Sequence, residues 1–459
     1  MNKQPLAIGW SQVSITPDQP VHLHGMFNER ISTHVEEPCT ATALALEGGD
    51  GEQAIWVSCD LLQVTLDVVR DVRRAVAARL AGFDGDKLLL GCTHTHNAPN
   101  FAVVSPVPRP GVMPAAAYRD FFIERVTDVA VRAWTSRAPG RITPALGHAV
   151  IGWCRRAAFA GGKGEMYGNT RRDDFVRIEG PMDPGLELLF THSADGTPTG
   201  AVVCVACTAQ TCMGENFLTA DLWGPARREL RTHFGDHFAV LAVTGAAGDQ
   251  CPDDLIRAGR GEPWLRGAKA CAALGRRLSR GVIEGYETGR RETPDAPAFR
   301  HRHVALDLPA YVMSAEQTAA YEAEIAALTA DGEPDPSSWN GGEVSRRRIT
   351  LKRYAALGPH PVRTADCNFL RIGDMAVATS PFELYLEYGN RIKARSPATQ
   401  TLTPQLTNDL LGYLPTREAL VHGHYSAMPA DLHVGADGGD QLVERSVAEL
   451  NALFADVQK

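Results

Sequence analysis

The sequence predicts an α/β protein. Two observations carry this reading. Apolar runs of strand length, such as residues 41–47, 54–58 and 88–90, alternate along the chain with amphipathic stretches of helix length, such as 66–80 and 267–284. The strands also run into loops of small and polar residues, above all Gly91-Cys92-Thr93-His94-Thr95-His96-Asn97-Ala98-Pro99 and Thr244-Gly245-Ala246-Ala247-Gly248-Asp249. Small residues at a strand end let backbone approach a ligand closely.

Taken in order, residues 6–15 read as a first strand, followed by a loop with His22, His24 and His34. Strands follow at 41–47 and 54–58, the second ending at Cys59-Asp60, where the acid either shapes a site or caps the next helix. Thr65 is placed to cap helix 66–80, whose Val68, Val69, Val72, Val76 and Leu80 share one side. After strand 88–90, the proline-rich stretch 102–114 predicts a loop over the site, and 116–136 a long helix. Strand 141–151 leads to Trp153-Cys154-Arg155-Arg156, and 160–182 reads as a long irregular loop. Strands 186–192 and 200–207 flank an Asp195-Gly196 turn. Helix 225–234, strand 237–243 and helix 267–284 come next, then a polar linker at 286–298. Strand 300–308 carries His301 and His303 on one face, and helices 314–329 and 344–356 form a hairpin insert placed to cover the site. A hairpin turns at Gly373-Asp374, Ser380-Pro381-Phe382-Glu383 starts a helix, 401–406 is a strand, and 440–454 a final helix.

The 459 residues are read as one large domain with the insert at about 314–356. A net charge of −8 with no Lys/Arg block argues against nucleic acid, and no apolar run reaches membrane-span length. With no signal-peptide pattern at the N-terminus, and cysteines such as Cys204 and Cys207 in apolar surroundings, the expected location is cytoplasmic. The expected partner is a small molecule, with room left for a homo-oligomer. Arg155, Arg156, Lys163, Arg171 and Arg172 are either solvated loop charge or the sign of an anionic substrate.

His94 and His96, one residue apart at a strand end, point to one face, as a metal site or an acid/base pair requires. Cys251 is either a small buried filler or a nucleophile with His96 as its base.

These landmarks in order resemble the catalytic domain of the neutral/alkaline ceramidase family. The resemblance rests on Ile15-Thr16-Pro17, Val57-Ser58-Cys59-Asp60, the Thr-His-Thr-His run, Asp221, Gly245-Ala246-Ala247-Gly248-Asp249, Pro381-Phe382-Glu383, Leu406-Thr407-Asn408, Gly412-Tyr413 and Tyr425. It implies a layered αββα-type sandwich around a central metal, here in a short chain without the family's C-terminal immunoglobulin-like domain or secretion signal. It further implies zinc held by His94, Glu383 and Tyr413, with His96, Arg155 and Tyr425 facing the substrate carbonyl and Cys251 at a position the family fills with serine.

The chain departs from the family at one ligand. A second zinc-binding histidine belongs in the segment Ala206-Cys207-Thr208-Ala209-Gln210-Thr211-Cys212, and Thr208 or Ala209 takes its place. Cys207, Cys212, Gln210 or His96 are the available replacements. The expected activity is metal-dependent hydrolysis of an amide or related acyl bond in a small molecule other than ceramide, with metal-activated water attacking the carbonyl. The alternatives are a Cys251-dependent acyl transfer without metal and a non-catalytic binding protein of the same fold.

Overall fold

The computed structural model describes residues 5–100, 108–262 and 266–455. Eight strands form the larger sheet. From one edge to the other they are Ala239–Thr244, Pro198–Val205, Gly185–Ser193, Ala138–His148, Leu6–Ser14, Thr40–Glu47, Gln53–Cys59 and Leu88–Cys92. The inner pairs are antiparallel and the outermost pair at each edge is parallel. The sheet curls until its two edges meet. Ser58 donates to the Ala242 carbonyl, and the Thr244 hydroxyl donates to the Thr93 carbonyl at 3.1 Å. A second sheet, ordered Phe299–Pro309, Val362–Ile372, Met375–Ala378 and Gln400–Leu402, packs on the inner face of the first.

Burial on both faces explains the nearly unbroken apolar strands. Trp56, Leu89, Leu241, Phe299, Leu370 and Leu402 fill the space between the sheets. Trp56 is 2% exposed, and truncating such a residue typically costs about 3–5 kcal/mol. Helices Leu66–Arg79 and Ala115–Thr135 cover one part of the outer face of the large sheet, and Trp223–Phe234 and Gly267–Thr288 another. Helices Leu386–Arg395 and Ala436–Ala455 cover the small sheet. The layers therefore run helix, sheet, sheet, helix, the αββα arrangement expected. No helix among the described residues is long and apolar enough to cross a membrane.

Several expectations need correction. Residues 160–182 are not an irregular loop throughout: Arg156–Phe159, Lys163–Met166 and Phe175–Ile178 form a small three-stranded sheet. Helix Gly267–Thr288 runs into the expected linker. Glu383 lies on a two-residue strand, Glu383–Leu384, rather than at a helix start, and the helix begins at Leu386. The strand expected at 401–406 ends at Leu402, because the following backbone turns to bind other segments, as in Gln405 N–H to the Thr244 carbonyl at 3.0 Å. Thr65 precedes its helix but does not cap it; Asp409 accepts from Leu66 N–H instead, at 3.1 Å. Asp60 is not a cap; it shapes the site from beneath, outside the cavity. It is fully buried, paired with both guanidinium nitrogens of Arg227 at 2.6 and 3.0 Å. The first part of the expected 102–114 loop, 102–107, lies outside the described residues.

Candidate metal centre

The double-histidine run leaves the edge strand Leu88–Cys92 and turns at once. His94 adopts a left-handed backbone with φ 61°. The convergence of the two rings is therefore due to this turn and not to strand alternation, since the strand has ended. Their centroids stand 4.9 Å apart, edge to face. Asp60 buttresses the turn by accepting from the Thr93 hydroxyl at 3.3 Å. Asn408 clamps the strand before it, its Oδ1 accepting from Leu90 N–H at 2.9 Å.

Each imidazole is oriented by a backbone carbonyl. His94 Nδ1 lies 2.9 Å from the Leu62 carbonyl and His96 Nδ1 lies 3.0 Å from that of Gly25. A carbonyl only accepts, so each Nδ1 carries the proton. In the neutral rings each Nε2 then presents a lone pair. His94 Nε2 stands 3.3 Å from His96 Nε2 and 3.4 Å from Glu383 Oε2. That carboxylate oxygen is buried, with no hydrogen-bond partner of good geometry among the described residues. His94 Nε2 and Glu383 Oε2 thus face each other without a hydrogen bond between them, while His96 Nε2 accepts from Gln210 Nε2 at 2.5 Å. A lone pair facing a carboxylate oxygen is repulsive unless a cation lies between them, either a proton on His94 Nε2 or a metal ion, and backbone-held imidazoles are the usual preparation for a metal.

Glu383 and Tyr413 are brought together by backbone pairing. They are register partners in the parallel pair Glu383–Leu384 with Tyr413–Leu414. Gly248 packs against this pair so closely that a Cβ there would lie 2.3 Å from the Glu383 carbonyl oxygen. Burial pushes the Glu383 carboxyl up, but His94 and Arg155 beside it win and hold it below the usual carboxylate range. Burial, reinforced by Glu383, raises the Tyr413 phenol, so without a cation it keeps its proton. Burial also lowers His96 well below the ordinary imidazole value, helped by His94 and Arg155.

Arg155 crosses the floor of the site. Its Nη1 donates to the Tyr167 hydroxyl at 2.8 Å and to Gln210 Oε1 at 3.2 Å, and its Nη2 to the Gly248 carbonyl at 2.9 Å and the Tyr413 hydroxyl at 3.3 Å. Nη2 is also 3.9 Å from Glu383 Oε2. The Tyr425 hydroxyl is 3.2 Å from that of Tyr413. His94, His96, Arg155, Glu383, Tyr413 and Tyr425 all line one cavity of about 690 Å³.

Cys251 does not line it. The residue is 1% exposed, and burial, with Asp253 adding to it, pushes its thiol up to about 12. This favours the filler over the nucleophile, since a thiol acts as its thiolate. Among the proposed replacements for the missing histidine, Cys207 and Cys212 also stay outside the cavity, while Gln210 and His96 reach it. Gln210 Nε2 lies 2.5 Å from His96 Nε2, and its Oε1 accepts from Thr208 at 2.6 Å. Of the five loop cations, only Arg155 lines the cavity. Arg156 pairs with Glu179 at 2.9 Å, Arg172 with Glu165 and Asp174 at 2.5 and 2.6 Å, Arg171 donates to the Gly259 carbonyl, and Lys163 is exposed. Of that cluster, Arg155 alone stands where an anionic group in the cavity could meet it.

Further residues of the cavity wall, His24 and those at the start of the insert's second helix, were not singled out in the sequence. His24 lines the cavity, its imidazole lowered to about 4 by burial and by His94 and Arg30. The helix Trp339–Ala355 of the insert contributes Trp339, Glu343, Arg346 and Arg347 to the wall. Trp339 stands edge to face with Phe27 at 5.2 Å, and Arg346 pairs with Asp431. The insert thus lies against the site as expected. Four of the nine methionines, Met26, Met166, Met213 and Met428, supply much of the apolar wall.

No family model matches the chain, and a search of curated proteins finds no match. Solved structures do match. Neutral ceramidase from Pseudomonas aeruginosa superposes with a TM-score of 0.72 at 17% identity, over 98% of this chain and 75% of that one. A ceramidase complexed with C2 gives a TM-score of 0.70 at 15% identity, over 99% and 76%. The chain has the fold of the neutral ceramidases.

Proposed function

We propose that the protein is a metal-dependent hydrolase of an amide or related acyl bond in a small molecule other than ceramide. The observation that carries this is the meeting of His94 Nε2, its ring fixed by the Leu62 carbonyl, with the buried Glu383 Oε2, beside the Tyr413 phenol and within 3.3 Å of His96 Nε2. Two imidazoles and a carboxylate, with the Tyr413 phenol adjacent, suit zinc. His96 then replaces the absent family histidine as a ligand, its Nε2 exchanging the hydrogen bond from Gln210 Nε2 for the metal. A divalent metal held there supplies Lewis acidity toward a carbonyl and toward water.

The remaining groups act around it. Arg155 and Tyr425 donate hydrogen bonds to the oxyanion that develops on the acyl oxygen, the place where fixed donors contribute most to rate. Four partners fix the Arg155 guanidinium before substrate arrives, and it would exchange one of them, such as the long 3.3 Å bond to Tyr413, for the oxyanion. His24 is a further imidazole on the cavity wall, kept neutral near pH 7 by burial and by His94 and Arg30, so it offers a polar contact to substrate. The methionine and aromatic wall favours a substrate with an irregular apolar group, since methionine adapts to many shapes. The cavity volume suits a ligand of drug-like size.

Turnover of a panel of N-acyl and related amides tests the reading. The wild-type protein should hydrolyse at least one member, and His94→Ala should lose that activity while keeping its circular dichroism spectrum. Full turnover by His94→Ala would refute it.

A further inference from the structure

We propose that Cys212, Asp221 and Cys271 form a second cation site, apart from the cavity, for a soft divalent ion of the zinc class. Each offers one donor atom, and the three atoms lie within 4.8 Å of one another. None of the three lines the cavity. They come from separate parts of the chain: Cys212 from the segment after Gln210, Asp221 from the approach to helix Trp223–Phe234, and Cys271 from the helix Gly267–Thr288.

The geometry suits a closed structural site. The two sulfurs are 3.2 Å apart, inside the van der Waals contact of sulfur. Two sulfurs on one tetrahedral zinc stand about 3.8 Å apart, given bonds of about 2.3 Å, so the present spacing needs only a small opening. Backbone N–H groups of Cys212 and Leu222, each at 2.8 Å, fix one Asp221 oxygen apiece. Each oxygen keeps a lone pair for a ligand bond. The Thr211 hydroxyl, buried beside the same carboxylate without a partner of good hydrogen-bond geometry among the described residues, is a further oxygen next to the cluster. Cys212, Asp221 and Cys271 are 1%, 0% and 4% exposed, so there is no open position for substrate. Two thiolates with one carboxylate select a soft ion over magnesium or calcium. On binding, both thiols give up their protons to solvent. The ion would then tie the segment that carries Gln210 and Met213 into the cavity to the helix behind it.

The site is tested on the full chain, stripped with a chelator and reloaded with Co²⁺. Thiolate ligation produces a sulfur-to-cobalt charge-transfer band in the near ultraviolet. Wild-type protein should show the band, Glu383→Gln should keep it, and Cys271→Ser should lose it together with one equivalent of bound metal. The wild-type spectrum needs no variant, so a misfolded Cys271→Ser leaves the test standing. Absence of the band in wild-type protein would overturn the proposal, as would recovery of Cys212 and Cys271 joined in a disulfide. The His94 centre contributes no thiolate, so failure there leaves this result unchanged.

Discussion

Replacing Arg227 by leucine would leave Asp60 as an uncompensated charge beneath the site. Asp60 is fully buried and Arg227 4% exposed, and the two meet through a bidentate pair. Asp60 also accepts from Thr40 N–H and the Thr40 hydroxyl, both at 2.9 Å, and from Thr93, the residue before His94. Breaking a buried pair from one side costs about 3–5 kcal/mol, most of it the stranded charge. With an unfolding entropy of about 2.1 cal/mol/K per residue, the 459-residue chain has roughly 1 kcal/mol/K at its midpoint, so Tm should fall by about 3–5 °C. Removing both charges, as Asp60→Leu with Arg227→Leu, should recover much of the loss. Scanning calorimetry at one protein concentration measures Arg227→Leu, Asp60→Leu and the double variant. A shift below about 1 °C for Arg227→Leu, or a double variant worse than the sum of the singles, would refute the buried-pair account.

Gly25→Ala should damage the centre directly. Gly25 has φ 102°, and a Cβ there would sit 2.5 Å from His96 Nδ1. Backbone strain of about 1–3 kcal/mol should be accompanied by a metal affinity weaker by roughly 10–100-fold, because the His96 carbonyl partner moves. Gly51→Ala, also at positive φ but facing open space, should cost stability without touching metal affinity in the same titration. Stability should fall in acid. Burial lowers His301 to about 4 from 6.5, so its contribution is complete above pH 6.5 and is lost as pH falls toward 4. The difference corresponds to roughly 3 kcal/mol. Urea midpoints measured from pH 7 to 4 should drop, and His301→Gln should flatten that slope; an unchanged slope would contradict the assignment.

The long amphipathic helices and apolar strands were legible because their periods extend over many residues. The small sheet within 156–178 was not, since strands of four residues such as Lys163–Met166 are too short to show a period and carry exposed charge. The pairing of Glu383 with Tyr413 was invisible for the same reason: two-residue strands have no pattern, and only the family resemblance singled them out. The double histidine was found for a reason that the structure replaces, because a left-handed turn and not a strand face brings the rings together. His24 and Trp339 were missed because nothing local distinguishes a loop histidine or a helix-start tryptophan that faces a cavity from one that does not.

The account turns on a metal at the His94 centre. Diffraction from crystals of the purified protein at the zinc absorption edge tests this most directly. An anomalous peak bounded by His94 Nε2, His96 Nε2 and Glu383 Oε2 is the predicted result. Electron density there that carries no anomalous signal, with the three donors bridged by water or by Arg155, would contradict it.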